Sequence, residues 1–407
     1  MRILIAEEAL QTGKGHWPSY ISGIARGFRS MGDEVDVLGH HAASTTLLAE
    51  VGGNAFFTRN CWLDSSSQGA LGGILHAFGF RKELLSWLGQ HTPYDWVCSL
   101  TMRLQHLMAF ALLSRSGAVP SSTRFLLLFV QGFGLYAGPG KPSSFPRNLS
   151  TRLARLCFWL MRPAVESGRF IIAAETGGMQ DELQRFTGLP VVLFPHPVSP
   201  PPPAFPSNEP GTMNDEQAIT ITCPGFARHE KGNDLLQDAA KELLARPGNE
   251  RLRFVMQWPE PFEMPDGTLL GPDPALLSHK RVELLNENLD SEAYEKLLTR
   301  TDFVILPYRR NSYHLRVSRV AIEAASRGIP LIYTSETWTN EVVQLVGRGV
   351  EIEAETPKAL VQAITEASEK KSELKSIAAE GAGTVAAFHS ASEFRSRLLS
   401  QSQSNQS

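Results

Sequence analysis

The sequence has few cysteines and almost no net charge. Its 407 residues include only four cysteines, which lie far apart: Cys61, Cys98, Cys157 and Cys223. Their spacing predicts neither a disulfide framework nor a metal site, so we expect buried thiols in a reducing compartment. The net charge of -3 provides no basic field that would hold nucleic acid. Any phosphate group must therefore be bound by a local cluster of cations.

We expect neither a signal peptide nor a membrane-spanning segment in this sequence. The start, MRILIAEEAL, is a short apolar segment interrupted by Glu7 and Glu8, and no apolar stretch approaches the roughly 20 residues that a bilayer requires. We therefore expect a cytoplasmic protein. Residues 147–165, RNLSTRLARLCFWLMRPAV, mix basic and apolar side chains as interfacial helices do. Most amphipathic helices only cover a core, so we favour that role, with contact to the inner face of the membrane as the alternative.

Short apolar runs alternate with helical periods along the whole chain. Strands are predicted in the first half at RILIA, EVDVLG, YDWVCSL, RFLLLFV, RFIIAAE and PVVLFP. Strands are predicted in the second half at AITITCPG, RLRFVMQW, KRVELLNE, DFVILPY and PLIYTS. Helices are expected between them. This alternation predicts an α/β protein with doubly wound parallel sheets.

Composition places a boundary near the middle of the chain. In HPVSPPPPAFPSNEPGT, residues 196–212, six prolines within the first eleven residues exclude a helix and predict an extended connector. We predict one domain at 1–199, a linker at 200–216, a second domain at 217–385, and a terminal helix with a disordered polar tail at 386–407. Two such sheets leave a cleft between them, where ligands bind beyond the carboxyl ends of the strands.

The first loop after a strand, EEALQTGKGHWPSY, is a candidate acceptor site. Gly13 and Gly15 allow close backbone approach, but the full spacing of a dinucleotide fingerprint is missing. His16 is placed to bind a sugar hydroxyl or to act as a base. The alternative is that it is an exposed histidine with no functional role.

The loop CPGFARHEKGNDLL leads from a strand into a helix. Arg228 and Lys231 stand near a helix amino terminus that already favours anions, which is the arrangement that a diphosphate requires. A plain surface turn is the alternative.

A third stretch, SYHLRVSRVAIEAASRGIP, follows the strand DFVILPY. Arg309, Arg310 and Arg316 provide positive charge, and Glu323 in the next helix can accept hydrogen bonds from two ribose hydroxyls, unless it is merely a solvated acid. The predicted donor-binding residues are Gly225, Ser318, Arg319, Glu323 and Thr337.

With these motifs the sequence resembles the retaining nucleotide-sugar glycosyltransferases of family 4, of the bacterial group 1 type. The turn GFARHEKG is similar to the family's G-R-x-x-x-x-K-G motif and keeps Gly225, Lys231 and Gly232. Phe226 stands at the usual arginine, so Arg228 is a displaced candidate for the missing cation.

Glu323 resembles the second of the family's two glutamates, which binds the donor ribose. Leu315 stands at the first glutamate, and Arg316 and Ser318 stand at the glycines of the family's loop.

The resemblance implies the GT-B fold, in which two Rossmann-like domains face each other across a cleft. It also implies retention of anomeric configuration, independence of metal ions and a role in polysaccharide biosynthesis. The donor is then a UDP- or GDP-linked sugar, with no further cofactor, and the acceptor a glycan, a lipid-linked sugar or a small molecule. Arg228, Lys231 and Arg316 are the predicted catalytic residues, because they would stabilise the departing diphosphate.

Two other functions stay open. Loss of the first acid at Leu315 is compatible with a catalytically silent module that binds a nucleotide sugar or a partner enzyme. A nucleotide-sugar epimerase of the same fold would need acids for proton transfer, and Glu7, Glu8 and Glu175 lie at predicted strand ends.

Overall fold

The computed structural model describes residues 1–13, 17–64, 69–91, 93–199 and 218–403. The chain divides into two compact units. The first comprises Met1–Ala137, Lys141–Ser199 and His389–Ser407, and the second comprises Gly138–Gly140 and Pro200–Phe388. The predicted linker at 200–216 lies outside the described residues.

The first unit is built on a seven-stranded sheet whose strands are all parallel. Its order is β3-β2-β1-β4-β5-β6-β7. Its strands are β1 Arg2–Ala6, β2 Glu34–His40, β3 Gly53–Phe57, β4 Trp96–Met102, β5 Arg124–Phe129, β6 Phe170–Ala174 and β7 Val191–Leu193. Its first six helices are α1 Trp17–Ser30, α2 Thr45–Val51, α3 Gly69–His91, α4 Leu104–Ser114, α5 Leu149–Glu166 and α6 Gly177–Thr187.

The second unit has a six-stranded parallel sheet and a small antiparallel hairpin. The sheet order is β12-β9-β8-β13-β14-β15, and β10 pairs with β11. Its strands are β8 Ile219–Cys223, β9 Leu252–Gln257, β10 Phe262–Glu263, β11 Leu269–Leu270, β12 Val282–Leu285, β13 Phe303–Leu306, β14 Leu331–Thr334 and β15 Val350–Ile352. Its helices are α7 Asn233–Ala245, α8 Pro274–Leu277, α9 Ser291–Thr299, α10 Arg310–Tyr313, α11 Arg319–Ala325, α12 Thr339–Val346, α13 Pro357–Glu369 and α14 Lys371–Phe388.

The doubly wound parallel sheets predicted from the sequence are therefore confirmed. Capping side chains fix where two of the helices begin. Helix α11 begins after Ser318, whose hydroxyl accepts a hydrogen bond from the Ala321 N–H at 3.2 Å. Helix α13 begins after Thr356 in the same way, with Pro357 in its first turn.

The last helix, α15 Ala391–Gln403, returns to the first unit. Phe394 and Leu398 are fully buried in that unit's core, and the ring centroids of Phe394 and Phe28 lie 5.9 Å apart. Arg395 donates to both carboxylate oxygens of Asp33, at 2.6 and 2.9 Å. The polar run predicted to be a disordered tail is thus helical as far as Gln403, and residues 404–407 lie outside the described residues.

Helix α5 lies within residues 147–165, the segment for which the sequence allowed either a core-facing role or contact with a membrane. Asn148 caps it by accepting from the Thr151 N–H at 2.9 Å, and one face of the helix is buried against the first unit. The core-facing role is therefore present. Among the described residues, no helix is both long enough and apolar enough to cross a bilayer.

Candidate functional site

The loop after β8 holds a lysine directly over a glycine. Gly225 has a φ of +84°, and its N–H donates to the Gln257 side-chain oxygen at 2.8 Å. A β-carbon at this position would lie 2.6 Å from the Nζ atom of Lys231. Glycine is therefore required both by the backbone conformation and by the close approach of the ammonium group.

Lys231 ends a short 3-10 turn, His229–Lys231, that leads through Gly232 into α7. Burial lowers the pKa of Lys231 to about 8, and the charges of Arg228 and Arg316 act in the same direction. Its ammonium makes no hydrogen bond or ion pair with the residues that the structure describes. A partly desolvated cation of this kind is suited to an anionic ligand.

Two arginines approach one carboxylate beside Lys231. Arg228 and Arg316 each approach Oε1 of Glu230, at 3.5 and 3.8 Å, and both arginine side chains are about half exposed. The structure thus brings together Arg228, Lys231 and Arg316, which sequence reasoning predicted separately. Glu230, in contrast, was not predicted to have a role, although it lies within the same loop.

Replacing Glu230 with glutamine is expected to tighten the binding of UDP or GDP. The carboxylate competes with a diphosphate for Arg228 and Arg316, and since exposed ion pairs are weak, we expect a gain of about two- to fivefold in affinity. Isothermal titration calorimetry measures this change. Glu369→Gln, which changes an exposed acid at the end of α13, is the matched control and should leave the affinity unchanged. Weaker binding to Glu230→Gln would mean that the carboxylate supports the ligand.

Two stacked tyrosines connect this cationic cluster to α11. The guanidinium of Arg316 lies 5.3 Å from the ring centroid of Tyr313, and Tyr313 stacks on Tyr308 at 3.9 Å. The Tyr308 hydroxyl lies 3.0 Å from the Ser318 hydroxyl. Ser318 therefore caps α11 and contacts Tyr308, whereas Arg316 belongs to the cationic cluster.

The carboxylate of Glu323 is held in place by two partners. It accepts from the Tyr294 hydroxyl at 3.0 Å and from Nε of Arg319 at 2.6 Å. Arg319, predicted as a donor-binding residue, is thus placed to orient Glu323. Tyr294 was not found from the sequence, because it lies 29 residues earlier and no motif connects the two.

Other predicted residues make contacts within the protein. The Thr337 hydroxyl donates to the Thr334 carbonyl at 2.7 Å, and Leu315 is half-buried. Arg309 is paired with Asp234, and Arg310 donates to the Ser335 carbonyl at 2.8 Å and to the Glu353 carbonyl at 2.7 Å. The expectation that Arg309 and Arg310 supply charge to a ligand was wrong. Arg309 is paired with Asp234 in α7, and Arg310 binds the loops that follow β14 and β15.

A pocket of about 260 Å³ adjoins the cations. It is lined by Phe226, Arg228, Glu230 and the segment 259–263. Beneath it, Trp258 stacks on Phe262 with ring centroids 5.3 Å apart. The lining of the pocket therefore combines charged and apolar side chains.

In the first unit, acidic groups lie at the carboxyl ends of strands. Glu7 follows β1, and burial raises its pKa to about 7, while Thr101 donates to it at 2.5 Å. Glu175 follows β6 and accepts from the hydroxyl of Tyr20 at 2.7 Å; the ring of His196 lies 2.9 Å from the same oxygen. Glu8 contacts two histidines.

The predicted acceptor loop is described only in part. Gly13 is exposed at its start. Gly15 and His16 lie outside the described residues. All four cysteines are buried and unpaired, as the sequence predicted.

Comparison with known proteins shows a family resemblance over part of the chain. Residues 218–370 match the family model of the group 1 glycosyl transferases. The chain resembles the group 1 glycosyltransferases. The predicted resemblance is confirmed, and the matched range contains every residue of the cationic cluster. No curated protein matches the sequence significantly.

Solved structures share the fold over nearly the whole chain. A glycosyltransferase from Rickettsia africae is 15% identical, with a TM-score of 0.64 over 98% of this chain and 97% of its own. Anabaena Alr3699/HepE, in complex with UDP-glucose, is 14% identical, with a TM-score of 0.62 over 99% and 100%. The catalytic domain of Arabidopsis thaliana starch synthase IV, bound to ADP and acarbose, is 12% identical, with a TM-score of 0.63 over 100% and 99%. The chain has the two-domain Rossmann-like fold of GT-B glycosyltransferases.

Proposed function

We propose that the protein transfers a glycosyl group from a nucleoside-diphosphate sugar to an acceptor. The observation that carries this proposal is the gathering of Arg228, Lys231 and Arg316 around Glu230 beside a positive-φ glycine. As the bond between sugar and phosphate breaks, negative charge grows on the diphosphate. Cations fixed at that position stabilise the transition state more than the ground state.

The family match over 218–370 supports the proposal, since it covers this same loop. The nucleoside would lie towards Glu323, whose carboxylate is oriented by Tyr294 and Arg319 to accept from ribose hydroxyls. The acceptor would be held by the first unit. The donor is a UDP- or GDP-linked sugar, and the product a glycan of the kind made in polysaccharide biosynthesis.

The proposal includes retention of configuration without a metal ion at the diphosphate. The guanidinium and ammonium groups supply the positive charge that a divalent ion supplies in other transferases. The departing phosphate can then take the acceptor proton on the same face of the sugar, so that the chain need not provide a base.

A panel of UDP- and GDP-linked sugars, offered with sugar and lipid-linked acceptors, tests the proposal. Release of nucleoside diphosphate that depends on an acceptor is the expected result, and the coupling of the product's anomeric proton in an NMR spectrum reports retention. Binding without release would indicate a silent module. Conversion of the donor into an isomer would indicate an epimerase.

We further propose that α5 rests on the cytoplasmic surface of a membrane. Leu149, Leu156 and Trp159 are 70%, 50% and 66% exposed, and Arg152 and Arg155 are exposed on the same helix. Exposed apolar side chains combined with arginines match the chemistry of an anionic bilayer surface.

Vesicles that contain anionic lipid should bind the protein, and neutral vesicles should bind it at least tenfold less. Trp159→Ser is expected to weaken binding to the anionic vesicles by about tenfold, since an aromatic ring leaves the interface. Leu269→Ser, which changes a side chain that is 73% exposed in the second unit, is the matched control. Equal sedimentation with both kinds of vesicle, or no effect of Trp159→Ser, would contradict this proposal while leaving the glycosyl transfer untouched.

A further inference from the structure

Four potential metal ligands meet in the first unit. Glu8 follows β1, Cys61 follows β3, His76 lies in α3, and His106 lies in the first turn of α4. One ligand atom of each residue lies within 4.8 Å of the others. Each residue is at most 2% exposed. Side chains from four separate segments therefore converge at one buried point.

The distances within this cluster are close to those of a tetrahedral metal site. Nε2 of His76 lies 2.8 Å from one oxygen of Glu8, and Sγ of Cys61 lies within 4.8 Å of the ligand atoms of both residues. Nε2 of His106 lies beside them, 3.1 Å from the other oxygen of Glu8 and 3.8 Å from Sγ of Cys61. Around a tetrahedral zinc ion, with bonds of about 2.0 to 2.3 Å, the ligand atoms are about 3.3 to 3.8 Å apart. Shifts of about 1 Å would accommodate the ion.

The backbone fixes which nitrogen of His106 carries its proton. The Arg103 N–H donates to Nδ1 of His106 at 3.2 Å, so Nδ1 is an acceptor and the hydrogen is on Nε2. That hydrogen faces Glu8 and the sulfur of Cys61. His106 is therefore placed to donate a hydrogen bond to the groups that hold a metal, as outer partners do, and not to bind the metal itself.

We propose that Glu8, Cys61 and His76 bind a zinc ion, with His106 donating from Nε2 to this ligand set. A thiol, an imidazole and a carboxylate together form a set that zinc accepts readily, whereas magnesium and calcium prefer oxygen ligands alone. Binding releases the thiol proton of Cys61 to solvent and moves the His76 proton to Nδ1. Three protein ligands leave one position open to a further ligand.

This cluster belongs to a different unit of the chain from the cationic cluster, and the proposal does not depend on the proposed glycosyl transfer. The sequence predicted no metal site, since the contact between Glu8 and Cys61 spans 53 residues and that between Glu8 and His76 spans 68. No short motif can contain such a set. Its effect would be to tie the loops after β1 and β3 to α3 and α4.

Cobalt substitution of the full chain tests the proposal. The protein is treated with a chelator, dialysed and titrated with Co²⁺ alone, and the absorption spectrum is recorded. We expect one ion per chain, visible bands of tetrahedral intensity and a near-ultraviolet band from charge transfer between thiolate and cobalt. Adding Zn²⁺ should bleach these bands, because zinc binds such sites more tightly than cobalt.

Variants identify the ligands. Cys61→Ser should lose the charge-transfer band, whereas Cys157→Ser, a buried cysteine of the same unit on α5, should keep it. His106→Ala should keep the band but bind Co²⁺ about 10- to 100-fold more weakly, as outer partners do. If the parent protein shows no tetrahedral cobalt spectrum, the proposal is overturned, and no variant is needed to decide it. A spectrum unchanged by Cys61→Ser would overturn it as well, and the four groups would then be a metal-free hydrogen-bonded cluster.

Discussion

Lys231→Met is expected to reduce glycosyl transfer by about 100- to 1,000-fold, since removing one preorganised charge from a site where negative charge develops has effects of this size. The change keeps an unbranched side chain of nearly the same length beside Gly225 and removes the ammonium group. Initial rates at saturating and limiting donor concentrations measure kcat and kcat/KM. Lys358→Met, at an exposed lysine in the first turn of α13, is the control and should retain the parent rate.

The pH dependence of UDP or GDP binding is a second test of the role of Lys231. Because the pKa of Lys231 is lowered to about 8, the ammonium loses its proton as the pH rises through that value, and a bound diphosphate favours the protonated form. Affinity for UDP or GDP should therefore fall above pH 8, by up to about tenfold per pH unit. Lys231→Arg keeps its charge throughout and should flatten the profile. A parent profile that is flat from pH 7 to 9 would show that Lys231 does not contact the diphosphate.

Gly232→Ala is expected to destabilise the protein by about 2 to 5 kcal/mol. Gly232 has a φ of +68°, which costs an alanine about 1 to 2 kcal/mol. A β-carbon there would also lie 1.9 Å from the Pro307 carbonyl oxygen, and relieving such an overlap typically costs about 1 to 3 kcal/mol more. Urea denaturation measures the loss as a lower midpoint.

Gly248→Ala is the matched control for this prediction. Gly248 has a φ of +90° in the same unit, but a β-carbon would meet no atom within 4 Å. It should therefore show only the backbone cost, of about 1 to 2 kcal/mol. Equal midpoints for the two variants would mean that the Pro307 carbonyl moves aside freely, and that the contact does not hold the turn before α7.

Local sequence patterns were sufficient to predict most of the fold. Continuous apolar runs such as those of β5 and β6 are typical of parallel strands that are covered on both faces, and both are buried throughout or nearly so. The edge strand β3, Gly53–Phe57, was missed, since it contains a glycine and an asparagine and is largely unburied. Pairing with β2 holds it in the sheet, and a sequence pattern cannot show that pairing.

In the candidate site, too, the sequence predicted the residues of one short motif and missed those that reach the site from distant segments. Gly225 and Lys231 could be found because one turn contains both, and the close approach of the two explains the glycine. Gln257 and Tyr294 could not, since each reaches the site from another segment: Gln257 fixes Gly225, and Tyr294 fixes Glu323. Arg310 was misjudged for the same reason, because its partners Ser335 and Glu353 come from distant loops.

The return of α15 to the first unit limits how this protein can be recombined. The buried Phe394 and Leu398 belong to a core whose other members lie before residue 200. A chimera that exchanges everything after the proline-rich segment would remove these two side chains and leave a hole in the half that it meant to keep. A successful exchange must stop near Phe388, so that the recipient keeps its own last helix.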